Sequence, residues 1–418
     1  MTKLPHDIID ITIIGGGVVG GLAGLRLAQT NPELVVRVVD ASSLQHRDPR
    51  TLALSHTTLL TLQQADIDIT TLADEFADIQ HIHVSDRGAT GSTTLHSEDY
   101  AIPTLGKVVS AQRLLDAIWA ASQAYQNLSW ARQTRIQSLA HEEDYVNVEA
   151  QLEPAANADD SPSSVSPGSA QASLQWRTRL LIGADGGRSF VREHLNIDQQ
   201  RFDYQQVALI ANVKVHQEHH GWAYERFTEQ GPIALLPRGH KEFALVWCVH
   251  QDAADDVKAL SDRDFLVQLQ QAFGFRAGHF TQLEARASYP LHLLLAQRAV
   301  YHRTALIGNA CHTLHPIAGQ GYNLGVRDVV DLVDTITANW HPQQGLAHRD
   351  LLAYEAQRRQ DYQRIGGLTD GLVRVFSNQY PPLMMARSLG LLTLRTHKTF
   401  SYPLARAAMG YRNLFGEA

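Results

Sequence analysis

The stretch IIDITIIGGGVVGGLAGLRLAQT (Ile8–Thr30) decides the fold class. Its first part, Ile8–Ile14, is short, mostly apolar and β-branched, which predicts a buried parallel strand ending at the first glycine. The Ala- and Leu-rich residues Gly20–Thr30 predict a helix, and Val35–Val39 predicts a second buried strand that closes at Asp40. These elements form a βαβ unit of the usual length, so the chain is predicted to be an α/β protein.

The glycines between this strand and helix have the spacing of a dinucleotide-binding turn. Gly15, Gly17 and Gly20 fit G-x-G-x-x-G. The first permits a tight turn, the second lets a pyrophosphate approach the backbone, and the third lets helix and strand pack closely. Asp40 lies where an acid accepts hydrogen bonds from the adenosine ribose. The pattern predicts a dinucleotide and leaves FAD and NAD open; the alternative is a glycine-rich turn without a ligand.

Composition excludes several classes of protein. The 418 residues carry a formal net charge of −7, which gives no basic footprint for nucleic acid. Apolar runs such as Phe243–Val249 are strand-length, far short of the ~20 residues that cross a bilayer. Met1–Asp7 lacks the pattern of a secretory signal, and Cys248 and Cys311 are the only cysteines. These features predict a cytoplasmic chain with reduced thiols and two closely packed domains.

A block of strands interrupts the α/β pattern. Val207–Val215, Trp222–Phe227, Ile233–Pro237 and Phe243–His250 read as consecutive strands of an antiparallel sheet. Such a block indicates a separate domain that covers the substrate. Upstream, the Ser-, Ala- and Pro-rich segment Pro154–Ser173 lies between two predicted strands and is expected to be a long hairpin insertion.

A second glycine-rich segment, GNACHTLHPIAGQGYNLG (Gly308–Gly325), lies between a predicted buried strand and a predicted helix. Gly319 and Gly321 are expected to open backbone N–H groups at the start of that helix. This arrangement suits a delocalised anion such as the N1–C2=O edge of a reduced flavin. Asn309 offers both a donor and an acceptor for ribityl hydroxyl groups.

Other residues near these segments have simpler readings. His312 and His315 have no Cys, Asp or Glu beside them at ligand spacing, so no metal site is predicted. Cys311 is expected to pack behind the loop and not to act as a reactive thiol. In LLIGADGGRSFVR (Leu180–Arg192), Asp185 stands at a sharp turn before a helix, where a cofactor contact and a plain helix cap are equally favoured.

Three motifs in this order, GxGxxG, GADG and the late G-[DN]-A-x-H-x-x-x-P-x-x-G-Q-G-x-N, resemble the single-component FAD-dependent aromatic hydroxylases. RTLALS (Arg50–Ser55), ERF…GPIALLP (Glu225–Pro237) and HPIAGQGYNLGVRDV (His315–Val329) narrow the resemblance to the ubiquinone-biosynthesis hydroxylases. Most flavin hydroxylases have Asp where this chain has Asn309, and the Gly-Asn form is typical of this branch. The resemblance covers Asp7–Asp331 approximately.

The resemblance implies an α/β fold with three parts: a glutathione-reductase-like FAD-binding Rossmann domain, an inserted antiparallel-sheet substrate domain and a helical C-terminal region. The FAD-binding domain is expected to be discontinuous, at residues 1–75, 105–200 and 295–340. The substrate domain is expected at residues 76–104 and 201–294, and the helical region at 341–418.

The resemblance also implies tightly but non-covalently bound FAD. The expected cofactor-binding residues are Gly15, Gly17, Gly20, Asp40, Arg50, Gln112, Asp185, Gly308, Asn309, Gly319, Gln320, Gly321 and Asn323. The expected catalytic residues form the loop that faces the isoalloxazine ring: Pro316, Gly319 and Gly321.

The implied activity is hydroxylation of an aromatic ring. NAD(P)H, docking transiently, would reduce FAD, O2 would form a flavin C4a-hydroperoxide, and its distal OH would pass to a polyprenylated phenol. The favoured substrate is 2-octaprenyl-6-methoxyphenol. A flavoprotein prenyl reductase and a weakly active flavin-binding structural subunit of a ubiquinone-biosynthesis complex stay open. A halogenase is disfavoured because the sequence lacks a W-x-W-x-I-P segment.

The implied partners are O2, the phenol and other ubiquinone-biosynthesis proteins, without nucleic acid. The apolar, basic-flanked stretch Pro381–Leu394 reads first as a helix packed on the FAD domain. Its alternatives are an oligomer interface and a peripheral contact with the inner face of the membrane.

Overall fold

The computed structural model describes residues 8–43, 48, 50–69, 77–153, 172–284, 286–314, 319–376 and 380–412. The strands are β1 (Ile8–Ile14), β2 (Val36–Val39), β3 (Thr51–Ser55), β4 (Asp78–Ile79), β5 (His81–Asp86), β6 (Ser92–His96), β7 (Gly106–Ser110), β8 (Leu128–Ala131), β9 (Thr134–His141), β10 (Val146–Leu152), β11 (Ser173–Gly183), β12 (Gln199–Val215), β13 (Trp222–Thr228), β14 (Gly231–Arg238), β15 (Glu242–His250), β16 (Phe280–Leu283), β17 (Ala287–Ala296), β18 (Val300–Tyr301), β19 (Thr304–Leu306) and β20 (His312–Thr313). The helices are α1 (Val18–Thr30), α2 (His56–Gln64), α3 (Ala111–Ser122), α4 (Phe190–His194), α5 (Gln251–Ala259), α6 (Asp262–Phe273), α7 (Gln320–Asn339), α8 (His348–Phe376), α9 (Pro381–Thr396) and α10 (Lys398–Ala408).

A parallel sheet carries both glycine-rich segments. Its strands run in the order β19-β11-β1-β2-β8, and each neighbouring pair is parallel. The neighbouring residues Thr12 and Ile13 of β1 point to opposite faces and are both fully buried, as expected for a strand covered on both faces. The core on one face includes Leu22 of α1, Leu114 of α3 and Val329 of α7. The predicted α/β fold and the initial βαβ unit are therefore confirmed.

The two strands predicted on either side of the Ser- and Pro-rich segment form a hairpin. β10 and β11 pair antiparallel, with Val146 opposite Thr178 and Gln151 opposite Ser173. The segment that joins them, 154–171, lies outside the described residues. The pairing across its ends confirms that the insertion lengthens a hairpin of the FAD-binding part.

The antiparallel block forms a second sheet. β12, β15, β14 and β13 are neighbours in that order, and each pair is antiparallel. β12 begins at Gln199, earlier than the predicted start at Val207, because its first residues pair with β17. One face of the sheet packs on α5 and α6 through residues such as Trp247 and Phe265. β5 joins the other end of the sheet, parallel to β13.

Hydrogen bonds cross two of the expected segment boundaries. β4, in the expected substrate segment 76–104, pairs with β7 of the expected FAD segment 105–200. β20, in the expected FAD segment 295–340, pairs with β17 at the edge of the second sheet. We keep the three-part division as a proposal. The two short strands, β4 and β20, connect its parts through backbone hydrogen bonds.

The tail is helical, as predicted, but α9 has a different neighbour from the expected one. Among the described residues, its main contacts are with β6 of the second sheet and with α8 and α10. Arg387 of α9 forms a buried ion pair with Asp86 of β5, with 3.0 Å between Nε and Oδ2. At the end of α8, Phe376 stacks on Phe227 with 3.9 Å between ring centroids. The C-terminal helices therefore cover one end of the antiparallel sheet.

Candidate functional site

The first glycine loop has one open position and two closed ones. At Gly15, φ is +105° and an added Cβ would lie 2.4 Å from the Ala184 carbonyl oxygen. At Gly20, an added Cβ would lie 1.9 Å from the Gly15 carbonyl oxygen. Among the described residues, no atom lies within 4 Å of a Cβ built at Gly17. Gly15 and Gly20 are thus required for packing, whereas Gly17 borders free space at the start of α1.

Both glycine-rich segments end in helix N-termini without a side-chain cap. α1 begins after Gly17 and α7 after Gly319. Within the described part of the chain, no side chain caps either start and no acid occupies either first turn. By contrast, α2 to α6 each begin with a Ser or His side chain that accepts a backbone N–H. The uncapped N–H groups and helix dipoles of α1 and α7 are therefore available to an anionic ligand.

Val19 places the two segments side by side. A Cβ at Gly308 would lie 3.1 Å from Val19 Cγ1, and one at Gly325 would lie 3.0 Å from Val19 Cγ2. The first turn of α1 thus packs directly on the second glycine segment. A single long ligand can reach both helix starts.

Asp40 lies next to the open glycine position. Its carboxylate accepts hydrogen bonds from the backbone N–H of Gly16 and from the hydroxyl group of Ser42, and also from the Ser42 backbone N–H at 2.7 Å. A carboxylate has about four acceptor positions, so three bonds leave capacity for a ribose hydroxyl group. The geometry suits the role predicted for Asp40.

Arg132 is a member of this site that sequence reasoning missed. Its guanidinium carbon lies 4.4 Å from the centroid of the Trp119 ring and 4.9 Å from that of Trp130. Burial lowers the pKa of Arg132, and the charges of Asp40 and Asp116 raise it. Its buried Nε has no hydrogen-bond partner in the described part of the chain. The Arg132 guanidinium group thus stacks on two tryptophan rings, interacts with the charge of Asp40 and has an unpaired N–H donor.

Arg50 and Gln112 meet at one acid. Arg50 donates to Asp48 through Nη2 at 2.6 Å and through Nε at 2.8 Å. Gln112 Oε1 accepts the Asp48 backbone N–H at 2.9 Å, and its Nε2 donates to Asp116 at 2.8 Å. The structure therefore brings together two residues that are separated by more than sixty positions in the sequence. Gln112 also connects this pair to Asp116, whose charge raises the pKa of Arg132.

Asp185 caps a helix. It accepts the backbone N–H of Val191 at 3.1 Å and the Ser189 hydroxyl at 2.5 Å. Arg192, on the same helix, donates to the carbonyl oxygen of Ala310 at 3.1 Å. The hydrogen bonds of Asp185 are therefore those of a helix cap. The capped helix contacts the second glycine segment through Arg192.

The residues of the second segment differ in their exposure to solvent and in the space around their Cβ positions. Asn309 is exposed, while Gly308 has φ +58° and is buried. The Cβ position of Gly321 is open among the described residues, whereas a Cβ at Gly319 would lie 2.8 Å from that of Ala53. Pro316 and His315 lie outside the described residues.

The Asn323 side chain is fully engaged with protein. Its Oδ1 accepts from the Ser55 backbone N–H at 2.9 Å and from the Thr58 hydroxyl at 2.8 Å. Its Nδ2 donates to the carbonyl oxygens of Ala53 and Gly319, each at 3.0 Å. We therefore propose that Asn323 positions the Gly319 turn against β3, and that only its backbone is available to FAD. Gln320 is also buried and directs its Nε2 toward the Ala408 carbonyl at 3.5 Å.

A buried network of charged side chains from α7 and α8 supports the second segment through hydrogen bonds to Gly308 and His312. Asp328 Oδ2 accepts the Gly308 backbone N–H and pairs with His312 Nε2, both at 2.8 Å. Its Oδ1 binds Arg358 at 2.7 Å and Tyr362 at 2.8 Å. Burial raises the pKa of Asp328, but Arg358 and His312 outweigh burial and hold that pKa below its usual range. His312 is thus a buried hydrogen-bond partner of Asp328 that supports the loop.

The two cysteines are buried and do not serve as nucleophiles. Burial raises the pKa of the Cys311 thiol to about 12 and also raises that of Cys248. A thiol with such a pKa stays protonated at neutral pH. The predicted packing role of Cys311 agrees with its burial.

These features together fit FAD. The open position at Gly17 and the uncapped start of α1 suit a pyrophosphate, with Asp40 and Arg132 beside it. The uncapped start of α7 with the open Gly321 suits a second acidic or polarisable group. One extended dinucleotide explains why both loops are present.

Comparison with known proteins agrees with this geometry. The model of a family described as FAD binding domain matches residues 9–366. The ubiquinone hydroxylase UbiL of Rhodospirillum rubrum is 32% identical over 98% of this chain and 91% of its own length. The 3-demethoxyubiquinol 3-hydroxylase of Escherichia coli is 26% identical over 98% of this chain and its full length, 100%.

Solved structures share the fold. The p-nitrophenol 4-monooxygenase PnpA from Pseudomonas putida superposes with a TM-score of 0.75 at 15% identity, covering 97% of this chain and 99% of its own. PqsL from Pseudomonas aeruginosa, a probable FAD-dependent monooxygenase, gives a TM-score of 0.71 at 19% identity, over 92% and 99% of the two chains. These likenesses confirm the predicted architecture.

Proposed function

The chain belongs to the FAD-dependent ubiquinone-biosynthesis hydroxylases, and we propose that it hydroxylates the aromatic ring of a polyprenylated phenol. The observation that carries the proposal is the pair of uncapped helix starts, α1 and α7, which Val19 holds side by side. FAD, when bound, would supply the activation of O2, one atom of which enters the ring. NAD(P)H is the proposed reductant.

The chain's own residues bind and orient. Gly17, Asp40 and Arg132 would hold the ADP half of FAD. Arg50 and Gln112, which both bind Asp48, would contact its phosphate or ribose groups. The backbone N–H groups at the start of α7 would stabilise negative charge on the flavin ring. This division of labour needs no nucleophile from the protein, in agreement with the burial of both cysteines.

The antiparallel sheet supplies the proposed substrate pocket. β20, which follows Asn309 and the 3₁₀ turn, pairs with β17 of that sheet, so the flavin loop is bonded directly to the sheet edge. The face opposite α5 and α6 carries small or apolar residues, including Ala208, Cys248 and Leu291. A ring with an apolar tail fits such a face, because its burial there removes apolar surface from water.

The hydroxylase proposal predicts oxygen incorporation from O2. Purified protein reconstituted with FAD should oxidise NAD(P)H in the presence of a short-chain polyprenylphenol and place one ¹⁸O atom from ¹⁸O2 in the ring. A prenyl reductase would oxidise NAD(P)H without consuming O2. A structural subunit would give turnover only after other ubiquinone-biosynthesis proteins are added. Either result would overturn the proposal.

The ring position is a separate proposal. The relatives' names differ in the step that they describe, and 2-octaprenyl-6-methoxyphenol remains our proposed substrate. Quinone intermediates should be profiled in a strain that lacks this protein. Accumulation of 2-octaprenyl-6-methoxyphenol would support the assignment. Accumulation of a later intermediate, already carrying the hydroxyl group that this step adds, would contradict it.

α9 gives a proposed contact with the membrane that holds such a substrate. Met385, Leu389 and Leu392 are 74%, 65% and 47% exposed, and their spacing places them on one face of the helix. Residues 380–412 include five basic residues and no acidic one. None of the helices in the described part of the chain is long and apolar enough to cross a bilayer. An apolar face with basic flanks suits the surface of an anionic membrane.

A double variant tests this contact. Met385→Asp with Leu389→Asp should reduce flotation with anionic liposomes at least about fivefold, because two charges replace apolar contact area. Hydroxylation of a detergent-dispersed short-chain phenol should remain. The matched control is Leu352→Asp at an exposed apolar position of α8. Equal flotation of the double variant and the wild type would remove α9 as the membrane contact.

A further inference from the structure

A cavity of about 320 Å³ lies between α7, α8 and the residues that follow α10. Its walls carry three arginines, Arg327, Arg364 and Arg412, together with Asp361. Ile365 and Tyr411 supply an apolar wall. Arg364 is exposed and Arg412 is 37% exposed at its side chain, so the cavity opens to solvent on that side. The arginines belong neither to the first glycine loop nor to the second.

Arg327 is the buried member of the cavity. Its side chain is 9% exposed, and Nη1 binds the Asp361 carboxylate at 2.9 and 3.2 Å. Its Nε and Nη2 atoms are buried and have no hydrogen-bond partner among the described residues. Leaving such donors unpaired is costly, more so for a charged group. Two donors of one guanidinium group are therefore unpaired in a residue that lines the cavity.

The charge around the cavity is unbalanced toward the positive side. Among the described residues, Arg358 binds Asp328, Asp331 and Asp361, and Arg412 binds Asp331 at 2.6 Å. Three arginines (Arg327, Arg358 and Arg412) thus pair with three carboxylates (Asp328, Asp331 and Asp361). Arg364 donates to the Arg412 carbonyl oxygen instead, so among the described residues its charge has no carboxylate partner. Burial lowers the pKa of Arg327, Asp361 raises it, and Arg358 and Arg412 lower it further. An additional anion would relieve this imbalance.

We propose that the cavity binds a phosphate-type oxyanion, with Arg327 at its base and Arg364 and Arg412 at its mouth. Guanidinium groups donate paired N–H bonds that match the oxygens of a phosphate. The volume exceeds that of one phosphate and leaves space for a small organic group against Tyr411. Because the phosphate group can belong to a free ion, a soluble ester or a lipid headgroup, the shared chemistry defines the site.

The test measures binding to the FAD-loaded, full-length protein. Isothermal titration with inorganic phosphate, at an ionic strength held constant with chloride, should give saturable one-site binding. Arg364→Gln and Arg327→Gln should each weaken that binding about tenfold or more, since each removes a charge-assisted hydrogen bond. Arg364 is exposed, so its variant should fold even if the Arg327 variant does not. The matched control is Arg349→Gln on the same helix, whose side chain is 85% exposed.

Two further ligands separate the sources of the phosphate. Adenosine 2′-phosphate tests a soluble ester, and phosphatidylcholine vesicles with phosphatidic acid test a lipid headgroup. The ligand whose affinity falls most in Arg364→Gln identifies the source. The proposal is overturned if, for all three ligands, Arg364→Gln weakens binding no more than Arg349→Gln does.

Discussion

A Gly17→Val variant should fold like the wild-type apoprotein but bind FAD at least about a hundredfold more weakly, a loss of roughly 3 kcal/mol. Gly17 has φ −70° and ψ −175°, a conformation that any residue adopts. Among the described residues, its added Cβ meets no atom within 4 Å. The valine side chain would therefore cost the protein nothing and would occupy the space where a pyrophosphate approaches the backbone.

Two other glycines make the experiment selective. Gly367 on α8 is exposed and has the same open surroundings, so Gly367→Val should keep both the melting temperature and the affinity for FAD. Gly20→Val should instead destabilise the apoprotein, because its Cβ would lie 1.9 Å from the Gly15 carbonyl oxygen. Affinity is measured by quenching of flavin fluorescence, and folding by thermal melting of the apoprotein. Wild-type FAD affinity in Gly17→Val would place the pyrophosphate elsewhere.

The parts of this site that were predictable have a local signal in the sequence. Gly15, Gly17, Gly20 and Asp40 lie within one strand–turn–helix–strand unit, where spacing alone fixes their relative positions. The same holds for the antiparallel strands, whose apolar runs and turns are continuous in the chain. Both groups of elements appear in the structure with boundaries close to the predicted ones, except that β12 begins eight residues before the predicted start at Val207.

The residues that were missed depend on tertiary packing. Arg132 approaches Asp40 only because β8 pairs with β2, far away in the sequence. Its stacking on Trp119 and Trp130 has no periodic pattern that a sequence reader can detect. Asp48 likewise becomes visible only when it joins Arg50 to Gln112.

Some predicted residues were found in a supporting position. The motif pointed to Asn323 and Asp185 as cofactor contacts, yet Asn323 bonds β3 and Asp185 caps α4. A motif records that a residue type is needed at a position; it does not separate direct contact from support. The hydrogen bonds show a supporting role for both side chains, and their contact with FAD stays a prediction.

The buried ionic network was the largest omission, and its cause is general. Arg and Asp on a helix are mostly exposed, so a sequence pattern predicts surface positions for them. This applies to the charged residues of the network on α7 (Arg327, Asp328 and Asp331) and on α8 (Arg358 and Asp361). They are buried because α8 packs along α7 and brings opposite charges into contact. The network then fixes Gly308 through the bond to Asp328.

Arg358→Met should lower the free energy of unfolding by about 3–5 kcal/mol, the range found when one partner of a buried ion pair is removed. Arg358 is fully buried and binds Asp328, Asp331 and Asp361 at 2.7, 3.0 and 2.7 Å. Methionine fills much of the volume but leaves these carboxylates without their shared cation. The measurement is urea unfolding of the apoprotein at pH 7. The adjacent Arg359→Met, at an exposed position, should change stability by less than about 0.5 kcal/mol.

The pH dependence of the Arg358→Met variant distinguishes lost charge from lost packing. Burial raises the pKa of Asp328, and Arg358 is the first of the groups that lower it in the wild type. Without Arg358, burial should dominate and the folded pKa should rise above the unfolded value of about 3.9. A raised carboxyl pKa destabilises the folded state at pH 7, and this penalty decreases as protons bind at lower pH. The stability gap between the variant and the wild type should therefore narrow from pH 7 to pH 5; a constant gap would mean that Arg358 acts through packing alone.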